Sequence, residues 1–379
     1  MSTNPSKLFC KLPFSRISID DEGNIWPACC PDWVAFPLGN IFKQSWEEIW
    51  LGETAQKFRG SMFDGSLRYC KRGWCPHVAD AESGIKNYHV IPLEEAPKSW
   101  DNQPPIHLNM NYDQTCNLKC PSCRADYIHL TGPQLSKVQY IQHYVETQIL
   151  PQVESIALTG VGDPFMSSVF RDFLINYDSK KYPNIKRIHF HTNGLLLDEK
   201  MYEKMKGLHH LDLSVDISID AASEAVYTKV RPPGKWDKLM KNLQFIKTLP
   251  NLKLMGISMV VQQDNYKQMM DFIALGESLV HKRRATFVEF KRMRKDPHLS
   301  AAQYATMGLD DLTPDMRKEF ETVLTAVEVK RQQNAQLGRL PAINHNLQEF
   351  LSAPVVVPPP SLVARWQAKI ANRFPLFMS

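Results

Sequence analysis

Apolar and polar positions recur with two different periods along this chain, and the places where the period changes divide it. Short apolar runs at 106–112, 154–160, 185–191, 211–220, 253–262 and 284–291 read as strands. Between them, near 134–149, 165–177, 198–206, 236–248 and 265–280, apolar residues return at helical spacing. Strand and amphipathic helix in regular alternation predict parallel βαβ units. Gln103-Pro104-Pro105 marks the boundary in front of this repeat, and ahead of it the pattern is that of small hairpins. Arg16 to Asp20, the turn Asp21-Glu22-Gly23-Asn24 and Ile25-Trp26-Pro27 predict strand, turn and strand. Ser45 and Glu48 have the spacing of a reciprocal helix cap, with Trp46, Ile49 and Trp50 as the buried face, and a second helical stretch holds Gln56, Phe58 and Arg59.

Beyond Arg294 the alternation stops. Residues 315 to 338 predict one amphipathic helix after Thr313-Pro314, and Val355 to Pro360 interrupts regular structure. A last helix near 361–373 carries Leu362, Trp366 and Ile370 on one face and is expected to pack against the rest of the chain. The predicted domains are therefore 1–100, 101–295 and a helical extension over 296–379.

Composition changes this picture little. With 43% hydrophobic and 22% charged residues the chain is an ordinary globular protein, and its net charge of +5 comes with no basic run or stripe. No nucleic-acid partner is expected, and an anionic ligand is permitted. No apolar stretch approaches the roughly 18 residues of a membrane span, and no signal-peptide pattern opens the chain, so the expected location is cytoplasmic. The eight cysteines are then expected to be reduced and to need another purpose, for which metal is the economical answer.

Three of them carry the sharpest signal. Cys116, Cys120 and Cys123, spaced C-x3-C-x2-C, follow directly on the alternating Ile106, Leu108 and Met110. Thiolates are soft ligands that select zinc, Cu(I) or iron–sulfur clusters. A structural zinc site is closed by four protein ligands, whereas three leave one position open for chemistry. A zinc knuckle completed by a nearby His or Cys is the other reading of the trio.

The stretch Cys116 to Cys123 resembles the signature of the radical S-adenosylmethionine (radical SAM) family. The resemblance implies a partial (β/α)6 barrel and a [4Fe-4S] cluster on Cys116, Cys120 and Cys123, whose fourth iron chelates SAM. It extends to the ends of the later strands. Gly160-Val161-Gly162-Asp163 is similar to the family's Gly-Gly-Glu motif, which implies that Gly160, Gly162 and Asp163 lie at the amino group of SAM. Thr192-Asn193-Gly194 recurs at this point in the family and places Asn193 near SAM. Ser218-Ile219-Asp220-Ala221 resembles Ser-x-Asp-Gly and implies Ser218 and Asp220 as partners of ribose hydroxyls, with Arg231 on the SAM carboxylate. Ser122 stands where an aromatic residue is common, so adenine is expected on other apolar surface, at Val260 and Val261.

The N-terminal region resembles the SPASM/Twitch module that binds auxiliary clusters, in its shorter form. The features that carry this are Cys10, the hairpin with Gly23, Cys29, Leu38-Gly39-Asn40-Ile41, the helix after Ser45, and the closing pair Cys70 and Cys75. A second [4Fe-4S] cluster is implied on Cys10, Cys29, Cys70 and Cys75. Cys29 is preferred over Cys30 because Cys30 precedes Pro31 and is conformationally restricted. A four-cysteine zinc site is the alternative, and the module here precedes the barrel rather than following it.

By family analogy the chain reductively cleaves SAM to a 5′-deoxyadenosyl radical that takes a hydrogen atom from substrate, with flavodoxin or ferredoxin as electron donor. Oxidation or C–H functionalisation of a small metabolite or sugar is the expected reaction. A peptide maturase and a radical epimerase are the alternatives, and a non-catalytic zinc module stands behind them. The chain opens at the cysteine module without a leader-peptide-binding domain, which tilts the expectation from peptide toward small molecule. The extra thiol, Cys30, is expected to be packed rather than to return a hydrogen atom to substrate.

Overall fold

The computed structural model describes residues 7–28, 30–72, 74–82, 88–158, 161–281, 284–295, 298–353, 355–359 and 361. Two compact units result, Met1–Thr115 with His129–His189, and Cys116–Ile128 with Phe190–Ser379.

In the first unit, β1 (Leu8–Cys10) and β5 (Val90–Pro92) form a two-stranded antiparallel ribbon, with Cys10 opposite Val90. The predicted hairpin is β2 (Arg16–Asp20) and β3 (Asn24–Trp26), and β4 (Gly39–Asn40) is added outside β3. Its turn is held by one carboxylate. Asp20 accepts hydrogen bonds from the backbone N–H of Glu22 and Asn24 and from the Trp26 indole at 2.7 Å. Gly23 takes φ +74°, which glycine adopts without steric cost. The expected cap is present at α1 (Trp46–Leu51), where Ser45 Oγ accepts from Glu48 N and the Glu48 carboxylate accepts from Ser45 N at 2.8 Å. Ile49 and Trp50 are buried, and Trp46 is half-buried and stacks on Trp50.

Helix α2 (Glu53–Phe63) follows, and α3 (Pro76–Glu82) begins directly after Cys75. Arg59 of α2 is buried with its guanidinium 3.9 Å from the Trp50 ring centre and 4.0 Å from that of Trp100. A cation between two indole faces keeps its charge in a dry place while its Nε and Nη1 donate to the carbonyls of Pro13 and Trp50.

Strands β6 (His107–Asn111) and β7 (Ser155–Leu158) are the first two of the repeat, with α4 (Gly132–Tyr144) between them and α5 (Ser168–Ile175) after them. They pair in parallel. β2 also pairs with β6 in parallel, from Arg16 opposite His107 to Asp20 opposite Asn111. The Gln103-Pro104-Pro105 boundary therefore separates two segments of chain that share one sheet. Strand β8 (Arg187–Thr192) starts in the first unit and ends in the second.

The second unit contains β9 (Asp212–Ser218), β10 (Leu252–Val261) and β11 (Ala285–Arg292), all parallel neighbours. Between β8 and β11 the chain winds through α6 (Glu199–Lys204), α7 (Glu224–Val230), α8 (Trp236–Ile246) and α9 (Met269–Ser278). The six predicted strands are thus β6 to β11, alternating with helices as expected, and the cysteine-rich segment precedes them in the chain.

The C-terminal stretch holds α10 (Ala301–Met307) and α11 (Pro314–Leu337), which begins at the predicted Thr313 cap and buries Phe320, Leu324 and Val327. It is more than helical. A further strand, β12 (Ala342–His345), pairs in parallel with β11 from Phe287 opposite Ala342 to Phe290 opposite His345. The helix expected near 361–373 lies outside the described residues apart from Ser361.

Glu328 fastens α11 to β12: it is buried and accepts from His345 Nε2 at 2.7 Å, from Arg331 and from Gln332. Burial alone would raise its pKa, but these donors outweigh burial and hold it at about 2. The stabilisation is present above the ordinary glutamate pKa and is lost as pH falls through the depressed value. Glu328→Gln is expected to lower stability at neutral pH by on the order of 2–3 kcal/mol. The difference from the parent, followed by urea unfolding at stepped pH, shrinks toward pH 2. An equal deficit at every pH would show that Glu328 acts by packing alone.

Candidate active site

The three cysteines of the trio lie on one loop of the second unit, Cys116–Ile128, and the loop is closed on itself. Cys116 N donates to the Ile128 carbonyl, and Cys123 N and Arg124 N both donate to the Cys120 carbonyl in a single helical turn. Leu118 is the buried apolar anchor. Cys120 is buried, Cys116 half-buried and Cys123 exposed. Lys119 N donates to Pro232 O at 2.8 Å, so the middle of the loop is tied to the residue after Arg231.

Hydrogen-bond donors point at the sulfurs. Leu118 N lies 3.5 Å from Cys116 Sγ, Arg124 Nη2 lies 3.5 Å from Cys123 Sγ, and Asn193 Nδ2 lies 3.9 Å from Cys116 Sγ. N–H groups aimed at sulfur stabilise a thiolate over a thiol and tune a thiolate-ligated metal centre. Burial pushes the unligated Cys120 thiol up to about 12, with the Arg231 charge pulling the other way. Binding a metal therefore requires the loop to release protons. The donor set, three thiolates ringed by N–H groups and two guanidinium side chains, fits an iron–sulfur cluster. Among the described residues no three His, Cys, Asp or Glu side chains stand at the distances that one metal ion needs.

Of the residues proposed to meet SAM, Asn193, Ser218, Asp220 and Arg231 lie in this same unit. Asn193 Nδ2 donates to Asn117 Oδ1 at 2.8 Å and its Oδ1 accepts from Leu195 N, so it braces the cysteine loop. Asp220 and Arg231, expected on different parts of the ligand, meet each other. Arg231 Nε and Nη2 donate to Asp220 Oδ2 at 2.8 and 2.7 Å. Asp220 Oδ1 accepts from Val260 N at 2.7 Å, and the Asp220 carbonyl accepts from Asn265 Nδ2. These bonds hold Asp220 at φ +61°, a left-handed conformation that costs a non-glycine residue energy and persists where its surroundings over-determine it. Burial opposes the Arg231 charge, but the Asp220 carboxylate outweighs it and raises the arginine pKa. Ser218 Oγ lies 3.0 Å from His191 Nε2 and 3.4 Å from Ser258 Oγ, and His191 Nδ1 lies 3.0 Å from Asp216. Val260 is half-buried, whereas Val261 is fully buried and belongs to the core rather than to an exposed adenine surface.

Gly162 and Asp163 belong to the first unit, and Gly160 lies outside the described residues. A Cβ on Gly162 would stand 2.5 Å from Asp113 O and 2.6 Å from Thr115 O, so only glycine lets this loop lie on the backbone that leads into Cys116. Asp163 is buried, donates its N–H to Thr115 O, and accepts from Phe165 N through its carboxylate. Asp113, which the sequence did not single out, completes this support: it accepts from Thr115 N at 2.8 Å and from Ser167 Oγ at 2.5 Å.

The N-terminal cysteines are placed by the small ribbon and by the segment before α3. Cys10 is buried in β1, and Cys70 forms an isolated bridge with Val34. Burial raises Cys75, while the backbone N–H groups of Val78 and His77 act against it by donating to its sulfur. Burial pushes the Cys70 thiol up to about 12, and the nearby Cys75 adds to the rise. His77, two residues after Cys75, and His89, which precedes the residue opposite Cys10, have ring centres 4.9 Å apart. Cys30 has the extended conformation (φ −130°, ψ 120°) that a following proline favours. Cys29 lies outside the described residues.

Known proteins resemble the chain in both regions. The family model described as the radical SAM superfamily matches residues 110–276, and the one described as an iron–sulfur cluster-binding domain, SPASM, matches residues 10–76. A GTP 3′,8-cyclase of Clostridium perfringens is 29% identical over 175 residues, 45% of this chain and 51% of that protein. The mycofactocin maturase MftC of Mycolicibacterium smegmatis is 28% identical over 176 residues, 45% of this chain and 41% of its own length. The chain thus spans about half the length of these curated relatives. The crystal structure of Streptococcus suis SuiB bound to precursor peptide SuiA is similar with a TM-score of 0.42 and 14% identity, over 78% of this chain and 62% of that one. The radical SAM domain implies a [4Fe-4S] cluster and SAM, and the SPASM domain implies further iron–sulfur clusters. No described helix is long and apolar enough to cross a membrane. With the two matches falling on the two cysteine groups in turn, the chain carries a SPASM iron–sulfur cluster-binding domain over residues 10–76 ahead of a radical SAM domain over residues 110–276.

Proposed function

We propose that this chain is a radical SAM enzyme that holds its SAM-binding [4Fe-4S] cluster on Cys116, Cys120 and Cys123 and functionalises a C–H bond of a small hydroxylated metabolite. The observation that carries the proposal is the ring of donors on the cysteine loop, from Leu118 N, Arg124 and Asn193 to the sulfurs. When bound, the cluster and SAM together supply one-electron cleavage of SAM and abstraction of a substrate hydrogen atom. The chain's own share is to position and shield. Arg124 and Arg231 supply positive charge beside the thiolates. Asn193 and Lys119 N fix the loop from two sides. Ser218, with one hydroxyl proton and two lone pairs, has capacity left for a ribose hydroxyl. Gly162 and Asp163 shape the loop proposed to receive the SAM amino group, and Gly160 is assigned there with them.

A second cluster is proposed on Cys10, Cys29, Cys70 and Cys75, where it would pass electrons to or from substrate. An external flavodoxin or ferredoxin is the proposed donor and the cytoplasm the proposed location. A peptide substrate is the second reading, favoured by the similarity to a mycofactocin maturase. The test of the second cluster is the iron content of the Cys116, Cys120 and Cys123→Ala variant after anaerobic reconstitution. It is expected to keep about half the iron of the parent, if both clusters are four-iron. A variant that takes up one zinc and no iron would make the N-terminal site a zinc site.

A further inference from the structure

The second unit presents two unlike strand faces. Phe190, Val215, Ile217, Ile257, Met259, Val288 and Phe290 point to one side and are essentially fully buried. Residues of opposite parity, from His191 on β8 to Lys291 on β11, point to the other side, and that face is polar. Three of its polar side chains reach solvent, His191 at 27%, Glu289 at 33% and Lys291 at 35% exposure, whereas Asp216 is buried beneath them. They are nevertheless ordered by one another. Lys291 Nζ lies 2.8 Å from Glu289 and 3.7 Å from Asp216, and Asp216 lies 3.0 Å from His191 Nδ1. Strand register sets Ser218, Ser258 and Glu289 in one row across three strands.

The next row is Asp216, Gly256 and Phe287. Gly256 has no side chain to occupy this face, and the Phe287 ring fills the place. A Cβ on Gly256 would stand 2.0 Å from Phe287 Cζ and 2.3 and 2.5 Å from its two Cε atoms, nearly equal distances that describe a ring lying with its face on the glycine. The other ring face turns away from the sheet, and Phe287 is half-buried rather than buried. A flat aromatic surface therefore sits among two carboxylates, one ammonium, one imidazole and serine hydroxyls.

We infer that this face is the substrate site of the proposed enzyme and that it takes a saturated, polyhydroxylated ring bearing an amino group, the chemistry of amino sugars. The inference rests on the radical SAM reading and names the substrate class for it. An aromatic face meets the C–H face of a saturated ring, while the rim of such a ring offers hydroxyls that both donate and accept. Glu289 accepts from hydroxyls, Lys291 donates and His191 does either, while the buried Asp216 holds His191 and Lys291 in place from beneath. The carboxylates of Asp216 and Glu289 outnumber the one ammonium, Lys291, that lies between them. An amine is therefore favoured and a phosphate disfavoured. Burial works against the Lys291 charge, but Asp216 and Glu289 outweigh it, so this ammonium stays charged and engaged.

The experiment is direct binding to the cluster-loaded protein under anaerobic conditions, without reductant and without SAM, by isothermal titration calorimetry. The probes are glucosamine, myo-inositol and glucose 6-phosphate. Glucosamine is expected to bind saturably, more tightly than myo-inositol and far more tightly than glucose 6-phosphate. Phe287→Ala is expected to weaken glucosamine by about tenfold, and Phe287→Leu, which preserves bulk for folding, to weaken it as well. Glu289→Gln should remove most of the preference for glucosamine over myo-inositol. Absence of saturable binding by either uncharged-ring probe or amine probe, tightest binding of glucose 6-phosphate, or Phe287 variants that fold and bind like the parent would each overturn the assignment. Because no SAM is cleaved in this measurement, its outcome is separable from that of the radical reading. Protein that releases 5′-deoxyadenosine yet binds no probe sinks this inference alone, and protein that binds glucosamine yet never cleaves SAM sinks the other.

Discussion

Replacing Cys116, Cys120 and Cys123 together by Ala is expected to abolish release of 5′-deoxyadenosine from SAM in reconstituted, reduced, anaerobic protein. The parent is expected to release it. The size of the effect follows from the chemistry: the proposed reaction needs an iron with an open coordination position, and the second cluster, proposed on four cysteine ligands, offers none. Three thiolates on one closed loop are all that the second unit's cysteines provide. Removing them takes away the cluster rather than a fraction of its affinity. Replacing Arg124 by Met should act differently, because its donation to Cys123 Sγ tunes the centre and does not hold it. Iron should still load, with a shifted reduction potential. Undiminished product from the triple variant would end the assignment of this loop.

Much of this architecture could be read from the residues, and the misses have physical causes. The six strands of the repeat are legible because their apolar runs alternate regularly with amphipathic helices. β12 is not, because Ala342-Ile343-Asn344-His345 has a single large apolar residue and no alternation, and it pairs with the edge that β11 already supplies. The parallel pairing of β2 with β6 was invisible for another reason: parallel register between remote segments leaves no local pattern. The reciprocal cap of α1, Ser45 with Glu48, is where the sequence places it, since a cap is a purely local arrangement.

The candidate site divides the same way. The cysteine spacing was enough to single out the loop. Asp113 escaped notice because an aspartate at a strand end looks like any turn former until Ser167 and Thr115 are seen to converge on it. Arg124 was missed because a basic residue after a cysteine has no pattern of its own. Its contact with sulfur appears only once the loop is closed. Asp220 and Arg231 were each singled out, but eleven residues of separation gave no hint that they would pair.

That pair gives the second large effect. Arg231→Met is expected to destabilise the protein by about 3–5 kcal/mol, because it leaves a buried carboxylate without its counter-charge. Asp220 is 2% exposed, and with Arg231 gone its Oδ1 keeps the Val260 N–H while Oδ2 loses both guanidinium donors. Asp220 also sits at φ +61°, so the conformation that the pair maintains has a cost of its own. The consequence reaches the cysteine loop through Lys119 N, which donates to the carbonyl of Pro232, the next residue along. Iron loading should therefore fall along with stability. Arg231→Lys should recover part of the loss, since an ammonium restores charge but not two N–H bonds in a fixed fork. Adding Asp220→Asn to Arg231→Met should recover more, because it removes the stranded charge and keeps an acceptor for Val260 N. The measurement is thermal melting of SAM-free protein, parent against the three variants, with SAM affinity determined alongside. An arginine that serves only the SAM carboxylate would weaken SAM binding and leave the SAM-free melting temperature where it was. That outcome would return Arg231 to the ligand and take it away from Asp220.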